Sequence, residues 1–107
     1  MIDISANHMK KYWDDFGTDS FTHTRLLIEE MSELTKELTK YDRYCDQYRK
    51  APSNSYEELL INHKKIRLIR DNIIEEMAHV YICLKACRGI LDIKDDEINT
   101  EIKRKEI

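Results

Sequence analysis

Two long amphipathic stripes lie on either side of Pro52, the only proline of this chain. In each stripe, apolar residues recur at alternating spacings of four and three. This periodicity is typical of long α-helices that bury one face. The first stripe consists of Leu27, Met31, Leu34, Leu38, Tyr41, Cys45 and Tyr48. The second, which is polar at two positions, consists of Leu59, His63, Ile66, Arg70, Ile73, Met77, Val80, Leu84, Cys87 and Leu91.

Turn-forming residues are scarce, since the chain of 107 residues contains 2 glycines and 1 proline. This scarcity argues against all-β and α/β folds. We therefore predict an all-α helical bundle, built on a long antiparallel helix hairpin that turns at residues 52–54 and carries a short helix at either end. Ser5 is predicted to cap the first short helix and Gly17 to end it, before a loop over GTDSFTHT. Ser55 and Glu58 form a capping-box pattern that opens the second long helix.

The remaining composition predicts a single helical domain over residues 1–107, because no segment resembles a linker. The net charge of −3 provides no basic excess for binding a nucleic acid polymer. The 3 cysteines have no disulfide-like spacing, which favours free thiols in a reducing cytosol. No apolar run approaches the roughly 20 residues of a membrane span. We expect a cytoplasmic protein without a membrane partner.

The acidic phrase IEEMSEL in the first stripe returns as IEEMAHV in the second. Glu30 and Glu33 of the first phrase correspond to Glu76 and His79 of the second, and each pair shares one helix face. In a hairpin that turns near residue 53, Glu30 lies level with Glu76. Carboxylates that meet beside an apolar seam repel one another and lose hydration, unless a divalent cation binds them. The repeat therefore predicts a metal site, although either phrase alone is more typical of a solvated helix face.

Three segments resemble a known family. The stretch LLIEEMSELTKEL resembles the E-E-x-x-E helix of the MazG-like, all-α nucleoside triphosphate pyrophosphohydrolases. NIIEEMAHVYICL is similar to the partner helix of that family, which carries E-x-x-D, and DIKDDEINTEIKRK to its last helix. The resemblance covers most of the chain from Phe21 onward. It implies an all-alpha NTP pyrophosphatase-like fold, assembled as a homodimer or homotetramer, that hydrolyses a nucleoside triphosphate to monophosphate and pyrophosphate.

Carried over by motif, the resemblance implies metal ligands at Glu30, Glu33 and Glu76, with His79 where the family has aspartate. It implies catalytic roles for Glu29, Glu30 and Glu33. The implied cofactor is Mg²⁺. Because an imidazole contributes nitrogen and no charge, Mn²⁺ or another divalent metal is also expected at this site.

Substrate contacts are predicted at four further positions. Lys36 and Lys103 are candidates for binding phosphate, and Trp13 and Phe21 are candidates for stacking on a base. The alternatives are solvated lysines and core-packed aromatic rings, which are the commoner outcomes for these residue types.

Two other functions remain open because of His79. The first is a family member that binds nucleotide or metal without turnover. The second is a di-iron carboxylate bundle, because Glu76 and His79 form the E-x-x-H pair of such proteins. In every case a homo-oligomer is expected, since apolar residues such as Tyr81, Ile82 and Ile90 exceed what one hairpin covers.

Overall fold

A computed structural model describes residues 3–50 and 55–106, which form four α-helices and no strand. These are α1 (Ala6–Phe16), α2 (Ser20–Lys50), α3 (Tyr56–Ile90) and α4 (Asp95–Lys105). Helices α2 and α3 pack against each other, so the predicted all-α class and helix hairpin are confirmed. The turn predicted at residues 52–54 lies outside the described residues. None of the described helices has the length and apolar character needed to cross a membrane.

The helix ends follow local sequence signals. The Ser5 hydroxyl accepts a hydrogen bond from the His8 N–H at 3.1 Å and caps α1. Gly17 follows the last residue of α1 with a φ of 73°, a conformation that suits glycine. The Ser55 hydroxyl accepts from the Glu58 N–H at 3.1 Å ahead of α3. Both predicted N-caps and the predicted end of α1 are confirmed.

The loop predicted over GTDSFTHT is wrong for most of its length, because α2 begins at Ser20. The carboxylate of Asp19 accepts hydrogen bonds from the N–H and the hydroxyl of Thr22, both at 3.1 Å. Asp19 therefore satisfies free N–H groups of the first helical turn, and the helix starts directly after it. The sequence offers several capping residues here, and Asp19 is the one that is used.

Two compact units make up the chain. The hairpin unit is Glu29–Val80, and the terminal unit comprises the residues up to Ile28 and from Tyr81 onward. Helices α2 and α3 contribute residues to both units. The single domain over residues 1–107 stays a prediction.

The terminal unit has a small core in which α1 packs on the last part of α3. Its buried members are Met9 and Tyr12 from α1 with Cys83 and Ala86 from α3. The half-buried apolar residues packed against this core are Ile4, Trp13, Leu26, Leu27 and Ile82.

His23 of the terminal unit is fully buried, which the sequence did not predict. Its Nε2 lies 2.6 Å from the carbonyl oxygen of Gly17. Because a carbonyl only accepts, Nε2 carries the proton and donates it. Nδ1 lies 3.3 Å from the oxygen of the Tyr12 hydroxyl, which donates a hydrogen bond to the Cys83 Sγ at 3.7 Å. The imidazole thus links the end of α1 to the first turns of α2.

On α2, the inward-facing side of the hairpin unit differs from the predicted stripe at alternate positions. Glu30 and Glu37 are half-buried, whereas Met31 and Leu38, which the stripe predicted inside, are exposed. Both patterns contain Leu34, which is half-buried. The buried face of α2 is therefore turned by less than one residue position relative to the prediction, and two carboxylates take the place of two apolar side chains.

On α3 as well, the residue that precedes a predicted stripe position is half-buried in place of the stripe residue itself. Glu76 is half-buried and Met77 is exposed. Asn62 is likewise half-buried while His63 is exposed. Periodicity alone does not distinguish the two patterns, because both repeat at spacings of three and four.

The two glycines of the terminal unit predict opposite effects of alanine. Gly17→Ala should lower the free energy of unfolding by about 1 kcal/mol, because an L-residue at φ 73° is strained. Gly89→Ala should raise it by about 0.5–1 kcal/mol, because Gly89 is helical and an added Cβ meets only the Trp13 ring, at 3.6 Å. Urea unfolding monitored by circular dichroism measures both. Effects of the same sign would contradict the backbone assignment at one of the two positions.

Candidate metal centre

The hairpin unit brings three predicted ligands together. Glu30 comes from α2, and Glu76 and His79 come from α3. One carboxylate oxygen of each glutamate and one ring nitrogen of His79 all lie within 4.8 Å of one another. Nδ1 of His79 is 3.3 Å from Glu30 Oε2 and 3.6 Å from Glu76 Oε2. The two halves of the repeated phrase thus meet across the hairpin.

The three side chains are partly shielded from water. Glu30 exposes 28%, Glu76 21% and His79 44% of its side chain. Burial raises the pKa of the Glu76 carboxyl above its ordinary value, and the adjacent Glu30 carboxyl raises it further, while His79 lowers it. Within the described part of the chain, the buried Oε2 of Glu76 has no hydrogen-bond partner. The site therefore holds negative charge that the surrounding protein does not fully compensate.

This donor set fits a divalent cation. Ligands bound at about 2.1 Å to one ion lie roughly 3–4 Å from each other, and the two measured separations fall in that range. Two carboxylate oxygens suit Mg²⁺ or Mn²⁺, whereas an imidazole nitrogen favours Mn²⁺ and the later transition metals over Mg²⁺. The buried Oε2 of Glu76 accepts no hydrogen bond in the described residues and faces His79 Nδ1 only at 3.6 Å, so it is the atom that gains most from a cation.

The fourth predicted ligand is not part of this group. Glu33 exposes 52% of its side chain, and its Oε1 lies 3.2 Å from the Lys36 ammonium. Glu29 is also exposed. The Lys36 ammonium, which was predicted to bind phosphate, is therefore paired with the Glu33 carboxylate. The catalytic roles of Glu29 and Glu33 and the substrate role of Lys36 stay predictions.

The other predicted substrate residues belong to the terminal unit. Lys103 is exposed in the last turn of α4. Trp13 is half-buried against the core and meets the His23 ring edge to face, with centroids 4.9 Å apart. Phe21 is exposed, and the Arg25 guanidinium lies 4.1 Å from its ring centroid. Trp13 therefore packs against the core, which was the alternative to base stacking, while the Phe21 ring remains exposed.

Glu37 is a half-buried carboxylate whose burial was not predicted from the sequence. Its Oε1 lies 3.1 Å from the Lys40 ammonium, and its Oε2 is buried without a hydrogen-bond partner in the described residues. A signal was present, because Glu37 follows Glu30 by one heptad and so lies on the same helix face. The predicted stripe had placed Leu38 there instead.

No protein-family model, no curated protein and no solved structure matches this chain.

Glu76→Gln should stabilise the metal-free protein at neutral pH. Folding raises the pKa of the Glu76 carboxyl above its unfolded-state value of about 4.5. The protonated carboxyl therefore contributes its full stabilisation below pH 4.5, and this contribution is lost as the pH rises through the folded-state pKa. Glutamine stays neutral, so the melting temperature at pH 7 should rise relative to that of the wild type.

The matched control is Glu75→Gln, which removes the neighbouring exposed carboxylate and should leave the melting temperature unchanged. Thermal melts with a chelator present, from pH 4 to pH 8, make the comparison. A lower melting temperature for Glu76→Gln at pH 7 would show that the ionised carboxyl is well accommodated.

Proposed function

We propose that this protein is a nucleoside triphosphate pyrophosphohydrolase of the MazG-like type that depends on Mg²⁺ or Mn²⁺. The observation that carries the proposal is the meeting of Glu30, Glu76 and His79, one ligand atom each within 4.8 Å. These residues come from the two segments whose sequences resemble the metal-binding helices of that family. The substrate would be an NTP or dNTP, and the products a nucleoside monophosphate and pyrophosphate.

In this mechanism Glu30, Glu76 and His79 would hold the cation. A bound divalent ion supplies positive charge to phosphate oxygens and lowers the pKa of an attacking water. Glu29 and Glu33 are exposed and thus accessible to water, so either carboxylate is suited to accept the proton of the attacking water.

Substrate binding is assigned to residues that solvent reaches. Lys36 and Lys103 carry exposed ammonium groups that would pair with phosphate oxygens. Lys36 would exchange its contact with Glu33 for the substrate, which frees the Glu33 carboxylate. Phe21 offers an exposed ring for a base, and Trp13 a half-buried one. Three free thiols suit a reducing cytoplasm, where such an enzyme would act.

A pyrophosphate-release assay over a panel of NTPs and dNTPs, with Mg²⁺ and with Mn²⁺, tests this proposal. Glu30→Gln should reduce kcat/KM at least about 100-fold, because a ligand of the cation is lost. His79→Asp should raise the Mg²⁺-supported rate relative to the Mn²⁺-supported rate, because a carboxylate replaces the nitrogen ligand. Glu57→Gln, an exposed change in the first turn of α3, is the control and should have no effect.

The outcomes separate the candidate functions. Activity that survives Glu30→Gln at full rate contradicts the proposed site. Binding of a non-hydrolysable nucleotide without turnover under any metal identifies a family member that has lost catalysis, in which case His79→Asp is the change expected to restore it.

The proposed assembly is a homodimer or homotetramer that uses the apolar face of the hairpin unit. Met31, Leu38, Ile74 and Met77 are exposed there, and each exposes 40–51% of its surface. Apolar surface beside half-buried carboxylates is better covered by a second copy than left in water.

Leu38→Glu should convert the oligomer to a monomer, because it places a charge in the proposed interface. Light scattering at micromolar concentration measures the mass, and Thr39→Glu, which introduces the same charge at the next, exposed position, is the control that should keep the oligomer. A wild-type protein that is already monomeric under these conditions would contradict the assembly.

A di-iron carboxylate protein is the second candidate, and the position of Glu33 favours it. The assembled group is one glutamate plus an E-x-x-H pair, without Glu33, and this is half of the ligand set of di-iron bundles. Two copies of the chain would complete the set. Two iron ions per dimer with a visible absorption band, and no pyrophosphate release, would establish this function in place of the first.

A further inference from the structure

A polar pair crosses the hairpin far from the metal centre. The Tyr44 hydroxyl on α2 donates a hydrogen bond to Oδ1 of Asn62 on α3, and both residues are half-buried. Burial raises the pKa of the Tyr44 phenol, and the neighbouring Tyr48 and Cys45 add to this, so the hydroxyl remains a donor. The Lys65 ammonium lies 5.9 Å from the centroid of the Tyr44 ring.

This pair and the metal centre have the same register. Tyr44 and Asn62 are equidistant from residue 53, and so are Glu30 and Glu76. Along each helix, the residue of the metal centre and the residue of the polar pair are two heptads apart, which corresponds to about 21 Å. The contact between Tyr44 and Asn62 therefore specifies the same alignment of α2 and α3 that brings Glu30 to Glu76.

Other alignments of the hairpin unit satisfy the apolar pattern almost as well. A shift of α3 by one heptad keeps spacings of three and four facing each other, yet it places Ile69 level with Glu30 and Asn62 level with Glu37. The metal group would not assemble in that alignment. The polar pair opposes such a shift, because Tyr44 would lose its contact with Asn62 and lie level with Ser55, before the first residue of α3. Fixing register is the best-attested role of polar residues at such positions.

We propose that Tyr44 and Asn62 are positioning residues, which hold α2 and α3 in the register that assembles Glu30, Glu76 and His79 into one site. The inference rests on the proposed function only where cation binding is the readout. The alignment itself can be measured in the metal-free protein.

The experiment replaces the pair by apolar residues, as Tyr44→Phe with Asn62→Leu. Replacing a buried polar pair by apolar side chains is often neutral or stabilising, so the melting temperature should stay level or rise. The Kd for Mn²⁺ should nevertheless weaken at least about 10-fold, as when support for a ligand is lost. Nuclear Overhauser contacts between the His79 ring and the Glu30 side chain, measured without metal, should weaken or split into two sets.

The control is Ile69→Leu, a volume-conserving change between the two levels, which should leave all three measurements unchanged. Tyr44→Phe alone removes only the hydroxyl and should change the Kd for Mn²⁺ and the Overhauser contacts in the same directions as the double variant. Its melting temperature should fall instead, because Asn62 keeps its polar side chain and loses this partner. Far-ultraviolet circular dichroism confirms that each variant is helical.

Two results would overturn the inference. One is a double variant whose Overhauser contacts and Mn²⁺ affinity equal those of the wild type. The other is a double variant in which the melting temperature and the Mn²⁺ affinity fall together, which would make the pair an ordinary stabilising contact. A wild-type protein that has the His79–Glu30 contacts but binds no Mn²⁺ contradicts the proposed function instead, and the metal-free contacts then decide the register alone.

Discussion

The approach of the Glu30 and Glu76 carboxyls inside a helix hairpin is the constraint on which the rest of the structure depends. Each group loses hydration and faces a like charge, and the pKa of Glu76 rises as a result. His79 offsets part of this with a ring nitrogen 3.3 Å from Glu30. An arrangement that opposes folding in the absence of a cation is the arrangement expected of a binding site, where stability is given up for function.

Placing carboxylates inside also explains the exposed apolar side chains of the hairpin unit. Glu30, Glu37 and Glu76 occupy inward-facing positions, so their neighbours on the next position turn outward. Met31 and Met77 are exposed for this reason. One rotation of each helix therefore accounts both for the candidate metal centre and for the apolar face on which the proposed assembly relies.

Features with local causes could be read from the chain. Ser5, Gly17 and Ser55 mark helix ends because capping depends on a residue and its next few neighbours. No local pattern predicted the burial of His23. Its ring is held by the carbonyl oxygen of Gly17, whose position is set by the way the chain leaves α1. Asp19 shows the intermediate case, in which the sequence contains the cap but does not rank it above later candidates.

The sequence by itself determined the all-α class, the two long helices and the partnership of Glu30, Glu76 and His79, because periodicity and a repeat equidistant from residue 53 need no knowledge of packing. Only the tertiary structure decided which neighbour points inward, Glu76 or Met77, and that Glu33 lies outside the group. Both alternatives satisfy a spacing of three and four. The choice between them is made by the packing of α2 against α3, which no single helix contains.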